Sequence, residues 1–173
     1  MPMPGSHAPL LVVMGVSACG KSSVGAALAA RLGVPFVDGD TLHPPENVAR
    51  MAAGHPLQDA DRWPWLAKVG SCLHDATSTG LVVACSALKR SYRDAILARA
   101  PATRFVFLEV PRTTLEGRLR RRRGHFMPAS LLASQLADLE VPDADEPAVT
   151  VAATAGVAAT VAAALRALAV RDA

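Results

Sequence analysis

The residues GVSACGKS, 15–22, fit the pattern G-x-x-x-x-G-K-[ST] at every fixed position. They follow an uninterrupted apolar run, Leu10–Met14, and open an amphipathic stretch, Lys21–Leu32. This is the strand–loop–helix order in which glycines let successive backbone N–H groups wrap a polyphosphate, and the helix adds the positive end of its dipole. The sequence therefore predicts a phosphate-binding loop formed by Gly15, Val16, Ser17, Ala18, Cys19, Gly20, Lys21, Ser22 and Ser23.

Two side chains of this loop carry the expected chemistry. Lys21 can reach the β- and γ-phosphates and is expected to be catalytic, and the Ser22 hydroxyl can ligate Mg²⁺. Cys19 has no activating neighbour in the sequence, so we interpret it as a small residue that acts through its backbone. A chance glycine loop is the alternative, and the flanking strand and helix count against it. The loop predicts a nucleotide, not yet a reaction.

Apolar stretches alternate with amphipathic ones along the rest of the chain. Strands that are apolar throughout and alternate with helices indicate a parallel sheet covered on both faces. The prediction is an α/β fold, a three-layer α/β/α sandwich around a parallel sheet of roughly five strands. Further strands are predicted at 35–37, 81–85, 105–108 and 149–152, and further helices at 46–53, 61–76, 92–99, 114–123, 130–139 and 157–170, with Asp61 as the N-cap of the second of these.

Length and composition fit one compact domain spanning 1–173, with residues 1–8 expected to be disordered. The chain has 173 residues, of which 51% are hydrophobic and 19% charged, enough to bury a core. Three separated cysteines predict neither a disulfide nor a zinc site and favour a reducing, cytoplasmic location. The uncharged stretch after Pro147 is rich in Ala and Thr, so we interpret it as a strand and a helix rather than a membrane span.

The positive charge is concentrated in one place. The formal net charge is +3, and much of the excess lies at Arg118–Arg123. A local cluster of this kind favours one anionic ligand over a nucleic-acid surface. Aromatic residues make up only 4% of the chain, which also counts against a nucleic-acid-binding ATPase with stacking platforms. We therefore expect neither a nucleic-acid partner nor a membrane partner.

Two acids follow the second predicted strand, in FVDGD at residues 36–40. The sequence lacks the Asn-Lys-x-Asp of GTPases, and the strand ending at Cys85 carries no acid. Because the carboxyl ends of neighbouring parallel strands converge on one crevice, Asp38 and Asp40 are expected to face the γ-phosphate. Asp38 would hold a water of the Mg²⁺ shell, and Asp40 would accept the proton of an attacking hydroxyl. An extended Asp-Gly-Asp would put both carboxylates on one side; plain turn chemistry is the alternative.

Longer blocks of the sequence resemble the gluconokinase family, whose relatives include shikimate kinase and the nucleoside monophosphate kinases. The resemblance runs from about Leu10 to Pro147. The chain departs from the family pattern at Ala18, where Gly is usual, at Ser23, where Thr is common, and in its C-terminal part. The blocks are MGVSACGKSS (14–23), DGDTLHPPENVARMAAGHPLQDADRWPWL (38–66), ACSALKRSYRD (84–94) and RRGHFMPASLLASQLADLE (122–140).

This resemblance implies a P-loop kinase of the nucleoside monophosphate kinase type, which uses ATP and Mg²⁺ to phosphorylate the terminal hydroxyl of D-gluconate. It also allows a homodimer. A related kinase of shikimate or of a nucleoside monophosphate is the alternative, and the block after Asp40 argues against both. The residues expected to bind the sugar acid are Asp40, His43, Arg62, Ser86 and Lys89.

Several of these residues also have a plainer interpretation. Arg62 can grip a carboxylate with two parallel donors, or it can be a surface arginine paired with Asp59 or Asp61. His43 can be a simple loop histidine, and Lys89 a solvated cation. The stretch NVARMAAG, 47–54, is assigned to packing rather than to chemistry.

A short lid is expected at about 118–130. By the resemblance, Arg118 contacts the adenine or a phosphate of ATP, whereas Arg122 and Arg123 are lid arginines. Arg122 is expected to be catalytic and Arg123 to bind the nucleotide, because lid arginines neutralise the charge that develops on the transferring phosphoryl group. His125 and Phe126 are expected to seat the lid.

Overall fold

The computed structural model describes residues 7–122 and 129–172. The first strand and the first helix have the predicted bounds, and the other elements begin or end within a few residues of their predicted positions. The elements are β1 (Leu10–Met14), α1 (Lys21–Leu32), β2 (Phe36–Asp38), a 3₁₀ helix (Gly39–Leu42), α2 (Pro45–Ala52), α3 (Asp59–Asp75), β3 (Leu81–Ala84), α4 (Arg90–Arg99), β4 (Arg104–Glu109), α5 (Arg112–Arg121), α6 (Ala129–Asp138), β5 (Ala148–Ala152) and α7 (Val157–Asp172).

The five strands form one sheet in the order β2-β3-β1-β4-β5. Every neighbouring pair in it is parallel, which confirms the predicted fold class. Because the strands are parallel, their carboxyl ends lie along one edge. The segments that follow β1, β2 and β3 therefore meet there: the phosphate loop, the 3₁₀ helix and the turn containing Ser86.

Helices cover both faces of the sheet, as the alternation of side chains along β1 requires. Leu11 and Val13 pack on one face, in a core that includes residues of α1, α5 and α7. Leu10, Val12 and Met14 pack on the other face, against residues of α3 and α4. All five side chains of β1 are buried, so the strand before the phosphate loop is anchored from both sides.

Two local predictions were wrong. The Asp-Gly-Asp segment is not extended, because β2 ends at Asp38 and a 3₁₀ helix begins at Gly39. Asp61 is not an N-cap: α3 begins two residues earlier, and Gln58 caps it. Asp61 is instead the third residue of that helix and accepts the Gln58 backbone N–H at 2.9 Å, completing a reciprocal capping box.

Part of the predicted lid lies outside the described residues. Helix α5 ends at Arg121, and Arg122 adopts an extended conformation after it. Arg123, His125 and Phe126 are not among the described residues, and neither are residues 1–6.

Among the helices that the structure describes, none has the length and apolar character needed to cross a membrane.

Candidate active site

The phosphate loop adopts backbone conformations that explain its glycines. Gly15 has φ +148° and Gly20 has φ +98°. A Cβ on Gly15 would lie 2.7 Å from Cys19 Sγ and 3.3 Å from the Leu108 carbonyl oxygen, so no larger residue fits there. Ala18 also lies in the left-handed region, with φ +67°. This is the position where the resembling family usually has Gly, which carries no steric penalty in that conformation.

Ser22 contacts the end of β2, whereas Lys21 makes its hydrogen bond within the loop. Ser22 Oγ donates to Asp38 Oδ2 at 2.8 Å, and Lys21 Nζ donates to the Val16 carbonyl oxygen at 3.0 Å. Asp38 Oδ1 accepts the backbone N–H of Asp40 at 3.0 Å and so caps the 3₁₀ helix. Asp38 is therefore fixed both to the helix that follows the loop and to the turn that carries Asp40.

One cavity of about 570 Å³ unites most of the predicted site. This volume lies within the range of small-molecule sites. Although the Asp-Gly-Asp segment is not extended, Asp38 and Asp40 both line the cavity together with residues of the phosphate loop. Twelve of the predicted site residues line it: Ser17, Ala18, Gly20, Lys21, Ser22, Ser23, Asp38, Asp40, His43, Arg62, Ser86 and Arg122.

His43 is held at this cavity by an aromatic partner. Its ring stacks on Trp65, with the centroids 4.0 Å apart and the planes 18° from parallel. Trp65 is itself fixed, because its Nε1–H donates to the Gly39 carbonyl oxygen at 2.8 Å. Burial, assisted by the positive charge of Arg62, lowers the pKa of His43 from 6.5 to about 4. The ring is therefore neutral at physiological pH.

Arg62 is a buried cation of the cavity and not a surface arginine paired with Asp59 or Asp61. Only 8% of the residue is exposed. Its Nη1 donates to the Tyr92 hydroxyl at 2.7 Å and to Asp138 Oδ2 at 3.2 Å. The cation is thus held between α4 and α6 while its side chain lines the cavity.

Lys89 is the one predicted substrate residue that is not among the cavity-lining residues. Its ammonium donates to Asp59 Oδ1 at 3.1 Å, a hydrogen bond that raises the pKa of Lys89. The Tyr92 hydroxyl also donates to Asp59. Lys89 therefore binds Asp59, which also accepts from Tyr92, whose hydroxyl receives a hydrogen bond from Arg62. The contact of Lys89 with substrate stays a prediction.

A second, smaller cavity of about 190 Å³ adjoins the phosphate loop on the side of β5. Arg118 lines it and donates to the Ala18 carbonyl oxygen at 3.1 Å and to the Ala153 carbonyl oxygen at 2.8 Å. Arg122 lines both cavities. Arg118, which was assigned to the nucleotide, and Arg122, which was assigned to catalysis, therefore both lie next to the phosphate loop.

Sequence reasoning missed a contact from α6. Gln135 Oε1 accepts the backbone N–H of Ser17 at 2.7 Å, and Gln135 and Ser134 line the larger cavity. Gln135 and Asp138 are three residues apart on α6, so they lie on the same side of that helix. This spacing is visible in the block QLAD, 135–138, but nothing local indicates that one residue reaches the phosphate loop and the other Arg62.

Comparison with known proteins identifies the family. The model of the shikimate kinase family matches residues 17–156. The gluconokinase of Gluconobacter oxydans is 53% identical over 143 residues, which cover 82% of this chain and 80% of that protein. The chain belongs to the gluconokinase family.

Further gluconokinases support this assignment in sequence and in structure. The thermosensitive gluconokinase of Escherichia coli is 44% identical over 138 residues, covering 78% of this chain and 73% of that protein. The crystal structure of a gluconokinase from Sinorhizobium meliloti has 49% identity and a TM-score of 0.86, covering 94% of this chain and 93% of the other. The likeness therefore extends over most of the chain, in sequence and in fold.

Proposed function

We propose that the protein transfers the γ-phosphoryl group of ATP to the terminal hydroxyl of D-gluconate, giving 6-phosphogluconate. The observation that carries the proposal is the shared cavity of about 570 Å³, in which the phosphate-loop Lys21, the acids Asp38 and Asp40, and the buried cation Arg62 converge. A kinase for a small anionic polyol needs these four functions together: a triphosphate cradle, a metal site, a proton acceptor and a carboxylate anchor.

The phosphate loop and the adjoining cavity suit ATP. Backbone N–H groups of residues 15–23 and the Lys21 ammonium would hold the β- and γ-phosphates. Arg118 would contact the nucleotide from the smaller cavity, which is lined by residues that flank β5. Arg122 would reach the transferring phosphoryl group, since it borders both cavities. Arg123 remains a prediction for the nucleotide site.

The Ser22–Asp38 pair fits Mg²⁺. A hydroxyl and a carboxylate are the oxygen ligands that this cation prefers, and Ser22 Oγ and Asp38 Oδ2 lie 2.8 Å apart. When bound, the ion would neutralise charge on the β- and γ-phosphates. Ser22 would ligate it directly, and Asp38 would hold one of its waters.

The remaining cavity residues suit a sugar acid. Arg62 would bind the carboxylate through its planar guanidinium, and Asp40 would accept the proton of the attacking hydroxyl. Ser86 and His43 would bind the other hydroxyls, and Lys89 is expected to reach the substrate only if it leaves Asp59. Free Cys19, Cys72 and Cys85 suit an enzyme of the reducing cytoplasm.

A coupled ADP-release assay tests this proposal against its alternatives. ATP turnover would be measured with gluconate, shikimate, a nucleoside monophosphate and RNA as separate additions. We expect gluconate alone to raise turnover and 6-phosphogluconate to form in equal amount. Lys21→Ala should abolish this turnover while leaving the circular dichroism spectrum unchanged. Turnover raised only by shikimate, the nucleotide or RNA would contradict the proposal, and near-normal turnover by Lys21→Ala would remove the assigned role of the lysine.

A further inference from the structure

A buried asparagine on α2 makes two directed contacts behind the active-site cavity. Asn47 is 4% exposed. Its Nδ2 donates to the Asp61 carbonyl oxygen at 2.9 Å and lies 3.2 Å from Nδ1 of His43. The sequence block that contains Asn47 gave no reason to assign it more than a packing role, so these contacts ask for a different interpretation.

The first contact determines the second. A carbonyl oxygen can only accept hydrogen bonds, so the Asn47 atom that faces Asp61 must be the amide nitrogen. The other N–H of the same NH₂ group then points at His43, and Nδ1 must offer its lone pair. In a neutral imidazole with an unprotonated Nδ1, the proton is on Nε2. The hydrogen-bond chain from Asp61 therefore selects one of the two neutral tautomers.

The surroundings of the ring favour this neutral form and hold it in place. Stacking on Trp65 restrains the plane of the ring, and burial together with Arg62 lowers the pKa of His43. A protonated ring is disfavoured by two effects: burial penalises its charge, and the positive charge of Arg62 repels it. Since Nδ1 is taken by Asn47, Nε2 is the ring nitrogen that a ligand in the cavity can use.

We propose that Asn47 is a positioning residue that fixes His43 as an Nε2–H donor, and that this donor selects substrates with an oxygen acceptor at the facing position. The inference rests on the proposed function and deepens it. Arg62 would recognise the negative charge of the sugar acid, whereas His43 would recognise one oxygen by direction without adding charge. A site built to hydrogen-bond such an oxygen discriminates strongly against an analogue that lacks it.

Nitrogen-15 NMR of the imidazole rings tests the positioning role directly. Long-range proton–nitrogen correlations distinguish a pyridine-type nitrogen from a pyrrole-type one, and the spectrum of His43→Gln identifies the His43 signals among the five histidines of the chain. We expect a pyridine-type Nδ1 and a pyrrole-type Nε2 at pH 7. In Asn47→Asp the carboxylate can accept from Nδ1, so Nδ1 should become protonated. A wild-type His43 with a proton on Nδ1 would overturn the proposal.

Kinetics test the consequence for the substrate. Asn47→Asp should raise the KM for gluconate roughly five- to tenfold, the worth of about one hydrogen bond, and leave the KM for ATP unchanged. His43→Gln should retain more affinity for gluconate than His43→Leu, because an amide N–H can replace Nε2–H. Glu46→Gln, an exposed neighbour on α2, is the control and should change neither KM.

The outcomes separate the two proposals. A changed tautomer with an unchanged KM for gluconate, or equal losses in His43→Gln and His43→Leu, would overturn the role in selection. Should Asn47→Asp fail to fold, the wild-type tautomer and the His43 pair still decide the question. If the wild-type protein does not phosphorylate gluconate, the proposed function fails, and the NMR measurement still determines whether Asn47 positions His43.

Discussion

The two acids at the end of β2 have different surroundings and so are expected to do different work. Asp38 is bound on both carboxylate oxygens, to Ser22 Oγ and to the backbone N–H of Asp40. A carboxylate anchored in this way is suited to hold a metal ion in one position. Asp40 belongs to the 3₁₀ helix and faces the same cavity from a more exposed position. It is suited to accept a proton from a bound hydroxyl.

Exchanging each acid for its amide separates these roles. Asp40→Asn should lower kcat by about 10²- to 10⁴-fold, the range for loss of a general base, with little change in the Kd of ATP. Asp38→Asn should instead raise the Mg²⁺ concentration needed for half-maximal turnover. Steady-state kinetics with Mg²⁺ and ATP varied independently measure the change in kcat and the change in the Mg²⁺ requirement. If Asp40→Asn weakened ATP binding and left kcat intact, Asp40 would belong to the metal site.

His43 gives the protein a predictable dependence of stability on pH. Its pKa is about 4 in the folded protein, lowered from 6.5 by burial and by Arg62, so the unfolded chain takes up the proton first as the pH falls. The contribution of His43 to stability is therefore complete above about pH 6.5 and is lost between that pH and about pH 4. Urea unfolding at several pH values should show wild type losing stability relative to His43→Gln over this window. Parallel curves would contradict the assignment.

Among individual residues, the sequence predicted those whose role is set by local backbone geometry. Gly15, Gly20 and Lys21 belong to a pattern that only works in one conformation, so their positions followed from the pattern. Asn47 and Gln135 could not be predicted in the same way. His43 lies only four residues before Asn47, but the carbonyl that orients the Asn47 amide belongs to Asp61 on α3. The Ser17 N–H that Gln135 accepts belongs to the phosphate loop. These contacts depend on how α2, α3 and α6 pack, and no local spacing encodes that packing.

Among the elements, the 3₁₀ helix after β2 is the one that places the acids. It lies so close to β3 that a Cβ on Gly39 would be 2.4 Å from the Ala84 carbonyl oxygen. The Gly39 carbonyl also accepts the Trp65 indole N–H. A glycine is therefore required at position 39, because β3 leaves no room for a side chain there. The turn is held between β3 and α3.

Gly39→Ala should displace this turn and with it Asp38 and Asp40. We expect kcat to fall at least tenfold and the free energy of unfolding to fall by about 1–3 kcal/mol, as for other overpacked sites. Gly117→Ala is the matched control, because a Cβ there meets nothing within 4 Å. Its position inside α5 should make the same change stabilising by up to about 1 kcal/mol. Equal kcat values in the two variants would contradict the expectation that a side chain at position 39 displaces Asp38 and Asp40 from their catalytic positions.

The elements themselves were predictable where the hydrophobic pattern was unambiguous. β1 and α1 have the predicted bounds because an apolar run and an amphipathic helix flank the loop. The Asp-Gly-Asp turn was misjudged because the segment fits either an extended strand end or a tight turn. Only the closeness of Gly39 to β3 decides between the two. The start of α3 was misjudged because Asp61 resembles an N-cap, whereas Gln58 fills that position.

At the scale of the whole molecule, a buried ion pair joins α4 to the segment that leads into β5, an edge strand of the sheet. Arg93 on α4 is fully buried and Glu146, just before β5, is 3% exposed. Their guanidinium and carboxylate groups make two hydrogen bonds of 2.5 and 2.9 Å. Burial raises the pKa of Glu146, but the hydrogen bonds from Arg93 and from the Asp143 backbone, together with the positive charges of Arg93 and Arg90, lower it by more, so the net shift is downward. The carboxylate therefore stays charged.

Removing one partner should leave a buried charge without compensation. Arg93→Met is expected to lower the free energy of unfolding by about 3–5 kcal/mol. The matched control is Arg112→Met, which breaks an exposed ion pair with Glu116 on the same helix and should cost less than about 1 kcal/mol. Denaturant unfolding of both variants gives the comparison. Similar small losses in the two would mean that the buried pair does not stabilise the fold.

The overall architecture was predictable because it follows from the alternation of buried strands with helices along the chain. Parallel strands bring their carboxyl ends together, so the convergence of the phosphate loop and the acids of β2 follows from the sequence pattern. The position of α6 over that convergence was not, because helix packing depends on contacts such as Asp138 with Arg62.

The proposed mechanism requires gluconate to bind between Asp40 and the phosphate held by Lys21. The most direct test is a crystal structure with Mg²⁺, a non-hydrolysable ATP analogue and gluconate. We expect the terminal hydroxyl of gluconate to lie within about 3 Å of an Asp40 carboxylate oxygen and to face the γ-phosphate, with the gluconate carboxylate on Arg62. Gluconate bound outside this cavity, or with its carboxylate toward the γ-phosphate, would contradict this mechanism.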